Sequence, residues 1–399
     1  MKIGRKILLM LGAIFTLSLV ALGVYTSNIY GFSTEELSKT FKDFNTSENS
    51  GSQDVIKQTK PFSILLMGVD TGSADRTSKW EGNSDSMILL TINPKTNQTT
   101  MTSLERDILI NLSGPKNNEA TNSEAKLNTA YAAGGAQMAI MTIQDMLDIT
   151  IDKYIQINME GLVQLVDAVG GITVTNDFDF PISIEANEPA YTATVEPGTH
   201  HINGDQALVY ARMRYDDPEG DYGRQRRQRE VITKVVKKVL ALDSVSKYKD
   251  ILKAVSGNMQ TNIEISSSTI PSLLGYSDAL KNIKTYQLKG EDATINGGSY
   301  QLVTSEHLLT VQNRIKKALG LKTSKTLTTT AILYDDYYGV TLDSGSDGYS
   351  ENLTADSYSS EQSTTDQTYT PSTVYQEAPS SVGQYQQTYQ DTATLQPIQ

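Results

Sequence analysis

P-F-S-I-L-L-M-G-V-D, residues 61–70, is a short apolar run closed by an acid. An unbroken run of this length, rich in Ile, Leu, Met and Val, reads as a strand covered on both faces. Outward from it, residues 86–92 form a second such run, and N-P-K-T-N at 93–97 is a strong turn signal. A third strand is predicted over 99–104, leading into Glu105, Arg106 and Asp107. Taken as an antiparallel meander, these strands put Asp70, Asp85 and Arg106 at one end of one sheet. Further along, helices are predicted over 136–147, 161–169, 203–212 and 308–319, with strands over 154–158 and 172–175. The alternation predicts a layered α/β domain.

The second informative stretch is Y-A-R-M-R-Y-D-D-P-E-G-D-Y-G-R-Q-R-R-Q, residues 210–228. It holds Arg212, Arg214, Arg224, Arg226 and Arg227. Guanidinium groups so close repel one another, which points to a bound anion, and phosphate matches their planar fork. From Arg224 onward a helix is predicted, with Arg224, Gln228, Val231 and Val235 on one face at about 100° per residue. Arg226 and Arg229 fall on the other side and are expected to meet solvent. Two carboxylates and an arginine at one strand end suit Mg²⁺ shared with a phosphate ligand. Equally open at this stage, Asp70 and Asp85 cap turns and Arg106 pairs with Asp107.

The net charge of -12 hides an asymmetry. Ten of the 46 acids lie from Thr326 to the end, where there is no Lys or Arg; the other 36 face 34 basic residues. A nearly neutral body argues against a nucleic-acid binder. The absence of Cys excludes a disulfide framework and a thiol nucleophile, and three His leave little room for zinc. No Gly-rich phosphate loop of the nucleotide-binding type and no serine nucleophile elbow is found. Lys2, Arg5 and Lys6 precede an apolar run over 7–25. That pattern predicts a transmembrane signal-anchor at the cell membrane, N-terminus inside and the rest outside, with cleavage after Gly23 as the alternative. Residues 26–60 are expected to form a stalk with a short helix over 34–44. One α/β domain is expected over 61–322. A disordered Ser/Thr/Gln/Tyr tail over 323–399 follows, with at most a strand over 331–334.

Ordered signatures run through this body: L-L-M-G-V-D at 65–70, N-S-D-S-M at 83–87, I-N-P-K-T at 92–96, S-L-E-R-D at 103–107 and K-L-N-T-A-Y-A-A-G-G at 126–135. They continue with N-G-D-Q-A-L-V-Y-A-R-M-R at 203–214 and G-D-Y-G-R-Q-R-R-Q at 220–228. Together they resemble the LytR–CpsA–Psr family of Gram-positive envelope proteins, in a streptococcal-type member. The resemblance implies an α/β/α layered sandwich with a mixed central sheet. It also implies a phosphotransferase that moves a glycopolymer from an undecaprenyl-pyrophosphate lipid to peptidoglycan through a phosphodiester. By the same resemblance Asp70 and Asp85 are the Mg²⁺ (or Mn²⁺) ligands. Arg106, Arg212, Arg214, Arg224 and Gln228 hold the pyrophosphate. Arg106 and Arg212 act on the reacting phosphate, with Asp221 as an assisting acid. Asn83 and Glu105 depart from the pattern, which commonly has Arg and Pro there. An apolar cavity for the lipid is required, but its residues cannot be told from core residues by pattern. Two rival readings stand beside this one: a non-catalytic scaffold or sensor that binds pyrophosphate lipids, and a membrane-bound transcriptional regulator. The expected topology puts the arginines away from DNA.

Overall fold

The computed structural model describes residues 41–43, 60–70, 80–241, 245–263 and 275–339. The expected membrane anchor, most of the stalk and the tail past 339 lie outside these residues. Among the described residues no helix is long and apolar enough to cross a membrane.

The meander forms as expected. Strands β1 (Phe62–Val69), β2 (Ser84–Asn93) and β3 (Gln98–Leu104) are antiparallel neighbours, with Leu65 opposite Leu89 and Met87 opposite Leu104. The β2–β3 turn is set by Asn93, whose Oδ1 accepts from the backbone of Lys95 and Thr96, and by Asn97 at φ 50°. A ribbon of β4 (Leu109–Asn111) and β5 (Glu124–Lys126) then leads into α1 (Thr129–Leu147). This helix is broken at Gly134 and Gly135, the latter at φ 63°, ψ -160°, so regular helix resumes where the periodicity predicts it, at Ala136.

Strand β6 (Lys153–Asn158) runs parallel to β1, and Asn158 caps α2 (Met159–Ala168) by accepting from the Gly161 N–H. The ribbon β7 (Ile172–Asn176) with β8 (Gly198–Ile202) precedes α3 (Gly204–Arg212), opened by a capping box between Asn203 and Gln206. Next come α4 (Asp221–Leu240), α5 (Val245–Val255), β9 (Met259–Thr261), α6 (Ser277–Lys281) and β10 (Ile283–Leu288). The ribbon β11 (Glu291–Ile295) with β12 (Gly298–Leu302), then α7 (Ser305–Ala318) and α8 (Tyr334–Tyr338), complete the fold.

The central sheet is mixed, in the order β10-β3-β2-β1-β6-β9. Successive side chains point to opposite faces, and both faces are covered, which explains the unbroken apolar runs over 64–69 of β1 and 87–90 in the middle of β2. Leu65, Met67, Val69, Met87 and Leu89 face one side, packing with Ile140 and Ile143 of α1 and Leu308, Val311 and Ile315 of α7. Phe62, Ile64, Ile88, Leu90 and Ile92 face the other, with Tyr276, Ala279 and Ile232. Helices on both faces make the layered sandwich. A further cluster joins α2, α3, α4 and α5 to the β7–β8 ribbon through Val166, Ile172, Val209, Tyr210, Val231 and Ile251.

Two boundaries differ from expectation. Residues 41–43 are not helical: Phe41 bridges Thr261 in parallel, the Lys42 N–H donates to the Thr261 carbonyl at 2.9 Å, and Tyr154 donates to the Lys42 carbonyl at 2.6 Å. The open edge of β9 supplies backbone partners that a short polar helix could not find within itself. At the other end the body runs past 322. Leu327, Ala331 and Leu333 pack into the core, with bridges Ile110–Ala331 and Val303–Leu333 in place of a full strand. Polar composition concealed this, because the apolar residues are few, Leu327 and the short run over 331–334 among Ser, Thr and Lys.

Candidate functional site

The carboxyl end of β1 and the start of β2 meet where the Asp70 N–H donates to the Asn83 carbonyl at 3.0 Å. Asp85 follows, and its Oδ1 lies 3.0 Å from Nη1 of Arg106, from the turn after β3. Asn128, at the start of α1, donates to the same Oδ1 at 3.1 Å and fixes the Arg106 backbone by donating its N–H to that carbonyl at 3.1 Å. Arg224 reaches over from the first turns of α4, its Nη2 3.0 Å from the Asp85 carbonyl. One turn on, Gln228 accepts from Ser86 of β2 at 2.9 Å. Arg212, at the end of α3, lies 3.5 Å from Asp70 and 2.7 Å from Glu188, beneath the Tyr191 ring. Arg214 donates to the Tyr215 hydroxyl at 2.6 Å, and Tyr215 is 66 % exposed.

Asp70, Asp85, Arg106, Arg212, Arg214, Arg224 and Gln228 line one cavity of about 1150 Å³. Most of the rest of its wall is apolar. Phe62, Ile64 and Leu66 of β1 come from the sheet, Val231, Val235 and Val239 from α4, and Leu162 and Leu165 from α2. Phe62 and Asp70 stand at opposite ends of β1, so the cavity runs from a charged mouth along the length of a strand. These are the apolar cavity-lining residues that the sequence could not single out.

Not every predicted role fits its position. Asp221 is not among the cavity-lining residues. Its Oδ1 is 2.7 Å from Nη2 of Arg224 and 3.7 Å from Nε of Arg106, while Oδ2 accepts from Gln225 at 2.9 Å. The Arg224 contact is an ion pair off the N–H direction, since Oδ1 has no aligned hydrogen-bond donor. Asp221 stands behind the arginines and aligns them. Arg226 is exposed as expected and pairs with Glu219 at 3.0 Å. Arg229 is buried instead, its Nη1 donating to Ser103 of β3 at 2.8 Å. The helical wheel placed it opposite the cavity, but α4 lies across the sheet, which encloses that flank too.

Arg227 has a structural part that spacing did not show. It is buried against Asp217, donates to the Tyr210 carbonyl at 2.9 Å and contacts the Met213 carbonyl. It thereby pins the segment that carries Arg214. Asn128 and Ser86 lay inside the quoted signatures without signalling their contacts. Glu188 and Tyr191 sit in a polar connection between ribbon strands and gave no signal at all.

Electrostatics follow from this crowding. Burial raises the pKa of Asp85, but Arg106, Arg224 and the Asn128 hydrogen bond outweigh it and hold the carboxyl below its ordinary value. Burial pushes Glu105 up, Asp221 and Asp107 add to that, and the Gln225 hydrogen bond and Arg224 oppose it, leaving it at about 7. Burial and neighbouring Arg106 lower Arg224, against Asp221 and Asp85; an arginine stays charged all the same.

A layered α/β protein with an arginine-and-carboxylate mouth over an apolar cavity is shaped for an amphiphile with an anionic head. Comparison with known proteins gives the family. The LytR_cpsA_psr family model matches residues 25–317, and the chain belongs to that family. Biofilm regulatory protein A of Streptococcus mutans is 76% identical over 341 residues, covering 85% of this chain and 83% of that one. The polyisoprenyl-teichoic acid–peptidoglycan teichoic acid transferase TagU of Enterococcus faecalis is 40% identical over 323 residues, covering 81% of this chain and 100% of that one. Among solved structures, a Streptococcus agalactiae protein has TM-score 0.70 at 75% identity, covering 72% of this chain and 97% of its own. TagT bound to LIIa-WTA has TM-score 0.54 at 27% identity, covering 71% and 96%.

Proposed function

We propose that this chain is an envelope phosphotransferase. It takes a glycopolymer from undecaprenyl-pyrophosphate and joins it to a peptidoglycan hydroxyl through a phosphodiester. The observation that carries this is the convergence of four arginines, Gln228 and two carboxylates at the mouth of a strand-long apolar cavity. A prenyl chain fits the apolar wall and a diphosphate fits the mouth. The names of the TagU relative and of the TagT complex support a wall-polymer substrate. The basic-flanked apolar run over 7–25 supports placing the body at the outer face of the cell membrane.

Asp70 and Asp85 would hold a Mg²⁺ ion. Among the described residues no group of three or more His, Cys, Asp or Glu side chains is clustered for a metal. Two carboxylates are nonetheless enough for this ion, whose other positions go to water and phosphate oxygens. When bound, it would neutralise charge on the diphosphate oxygens. Arg106 and Arg224 would hold the phosphate oxygens on the Asp85 side, Arg212 and Arg214 those on the other, where charge builds during transfer. The acceptor oxygen attacks the phosphorus that bears the sugar. The bond from that phosphorus to the bridging oxygen breaks, and undecaprenyl phosphate leaves. Such a displacement depends on alignment and charge more than on a strong base. The hydroxyl proton passes to water at the mouth, and Asp221, set back behind Arg224, aligns guanidinium groups rather than accepting it.

The test is transfer from a synthetic prenyl-diphospho-sugar to peptidoglycan with Mg²⁺. Labelled sugar in the wall fraction and stoichiometric prenyl phosphate are expected. The relative named biofilm regulatory protein A carries a regulatory rather than an enzymatic name, which keeps a second reading beside this one: the same mouth binding a pyrophosphate lipid without catalysis. Donor binding with no transfer would select it.

A further inference from the structure

Glu105 is the charge in this neighbourhood that the proposed reaction leaves unused. It is 2 % exposed and accepts a 2.6 Å hydrogen bond from Nε2 of Gln225. The same Nε2 donates to Oδ2 of Asp221 at 2.9 Å. Oε1 of Gln225 accepts from Gln287 of β10 at 3.0 Å, which turns the amide so that its NH₂ faces both acids. Among the described residues no Lys or Arg forms an ion pair with Glu105, whereas Asp221 has Arg224. The charged and titratable groups that face Glu105 are Asp107 and Arg106 from the turn after β3, and Asp221, Tyr222 and Arg224 from α4; β10 offers the neutral Gln287. A buried carboxyl and a half-buried one are tied to the same amide, and of the two only Asp221 pairs with the guanidinium groups of Arg106 and Arg224, which favours a proton on Glu105. The balance described above leaves Glu105 at about 7.

Resting on the reading of this mouth as a diphosphate site, we propose that Glu105 sets its affinity by exchanging one proton with solvent. Protonated, Glu105 leaves the positive field of Arg106 and Arg224 whole. Ionised, it stands behind them as a buried negative charge and opposes an incoming anion. Diphosphate binding therefore draws a proton from solvent onto the Glu105 carboxylate. None of the three His lines the cavity.

The probe is a short-chain prenyl-diphospho-sugar, whose two phosphates are diesters and do not titrate near neutrality. Calorimetry on the full protein measures its affinity between about pH 6 and about pH 8 in buffers of different ionisation enthalpy. Affinity is expected to fall about tenfold across that range, the order of one unit charge near the site at an effective dielectric of about 20. Net proton uptake is expected near neutrality. Glu105→Gln should abolish both, binding at every pH as tightly as the natural protein does in acid. Asp107→Asn removes a neighbouring negative charge, so the fall should remain but shift to lower pH. A flat natural profile, or a fall that persists in folded Glu105→Gln, overturns the proposal. If a melt shows that Glu105→Gln does not fold, an unshifted profile in Asp107→Asn does so. A protein that shows the fall but never transfers polymer refutes the proposed reaction alone; transfer with pH-independent binding refutes this inference alone.

Discussion

Replacing Gly223 by alanine puts a Cβ 1.9 Å from Oδ2 of Asp217 and 2.4 Å from its Cγ. No real contact is that short, so either α4 or the Asp217 side chain must move. Asp217 is held by Arg227, and the two side chains are 1% and 3% exposed. Two effects compete. Alanine in the first turn of a helix gains at most about 1 kcal/mol over glycine. Displacing Asp217 leaves the Arg227 guanidinium buried without its counter-charge, which costs about 3–5 kcal/mol. The net expectation is a loss of about 2–4 kcal/mol, measured by urea unfolding with an unchanged slope. Arg227 also holds the Tyr210 and Met213 carbonyls, so the segment carrying Arg214 loosens and diphosphate affinity falls with stability. Gly220→Ala is the control. Its φ of 54° with ψ of -122° is strained for any side chain and costs about 1–3 kcal/mol, but nothing lies within 4 Å of the added Cβ, so the Asp217–Arg227 pair stays intact and diphosphate affinity should not fall. If Gly223→Ala is neutral or stabilising, the buried pair does not organise this segment and the reasoning fails.

Other outcomes are open to measurement. Arg106→Ala should weaken prenyl-diphosphate binding by about 1.5–3 kcal/mol, the worth of a charged hydrogen bond, with Arg106→Lys recovering part of it in calorimetry. Val235→Asp places a charge on the apolar wall of the cavity; long-chain donors should lose their advantage over short-chain ones, while short-chain affinity stays near its natural value. Glu105 also links stability to pH. Below its unfolded value of 4.5 it is protonated in both states; as pH rises toward about 7 the unfolded chain ionises while the folded chain keeps its proton. Stability should therefore fall by about 3 kcal/mol over that window and level off above it, and Glu105→Gln should flatten the slope in denaturation series. Asp85 has the opposite sign. Its lowered carboxyl stabilises the fold above its unfolded value, and that contribution is lost as pH falls through the folded one, so Asp85→Asn should soften acid unfolding.

The amino-acid sequence alone determined the layered α/β architecture, because period-two and helical periodicities are local and unbroken apolar strands require cover on both faces. It also placed several of the mouth's charged side chains at one sheet end, although turn-capping acids fitted the same pattern. Asp70, Asp85 and Arg106 follow from the meander, and Arg224 with Gln228 from a helical face. Tertiary structure alone decided how those charges are partnered. Arg229 and Arg226 look alike on a helical wheel, yet one donates to Ser103 and the other meets water, because only the packed sheet encloses the first. Asp221 carries a family signature, but its distance behind Arg224 depends on how α4 crosses the strands. The cavity wall was equally hidden, since an apolar side chain facing a void and one facing a neighbour are written with the same residues. Which of the two it becomes depends on contacts between segments far apart in the chain, and no local pattern records them.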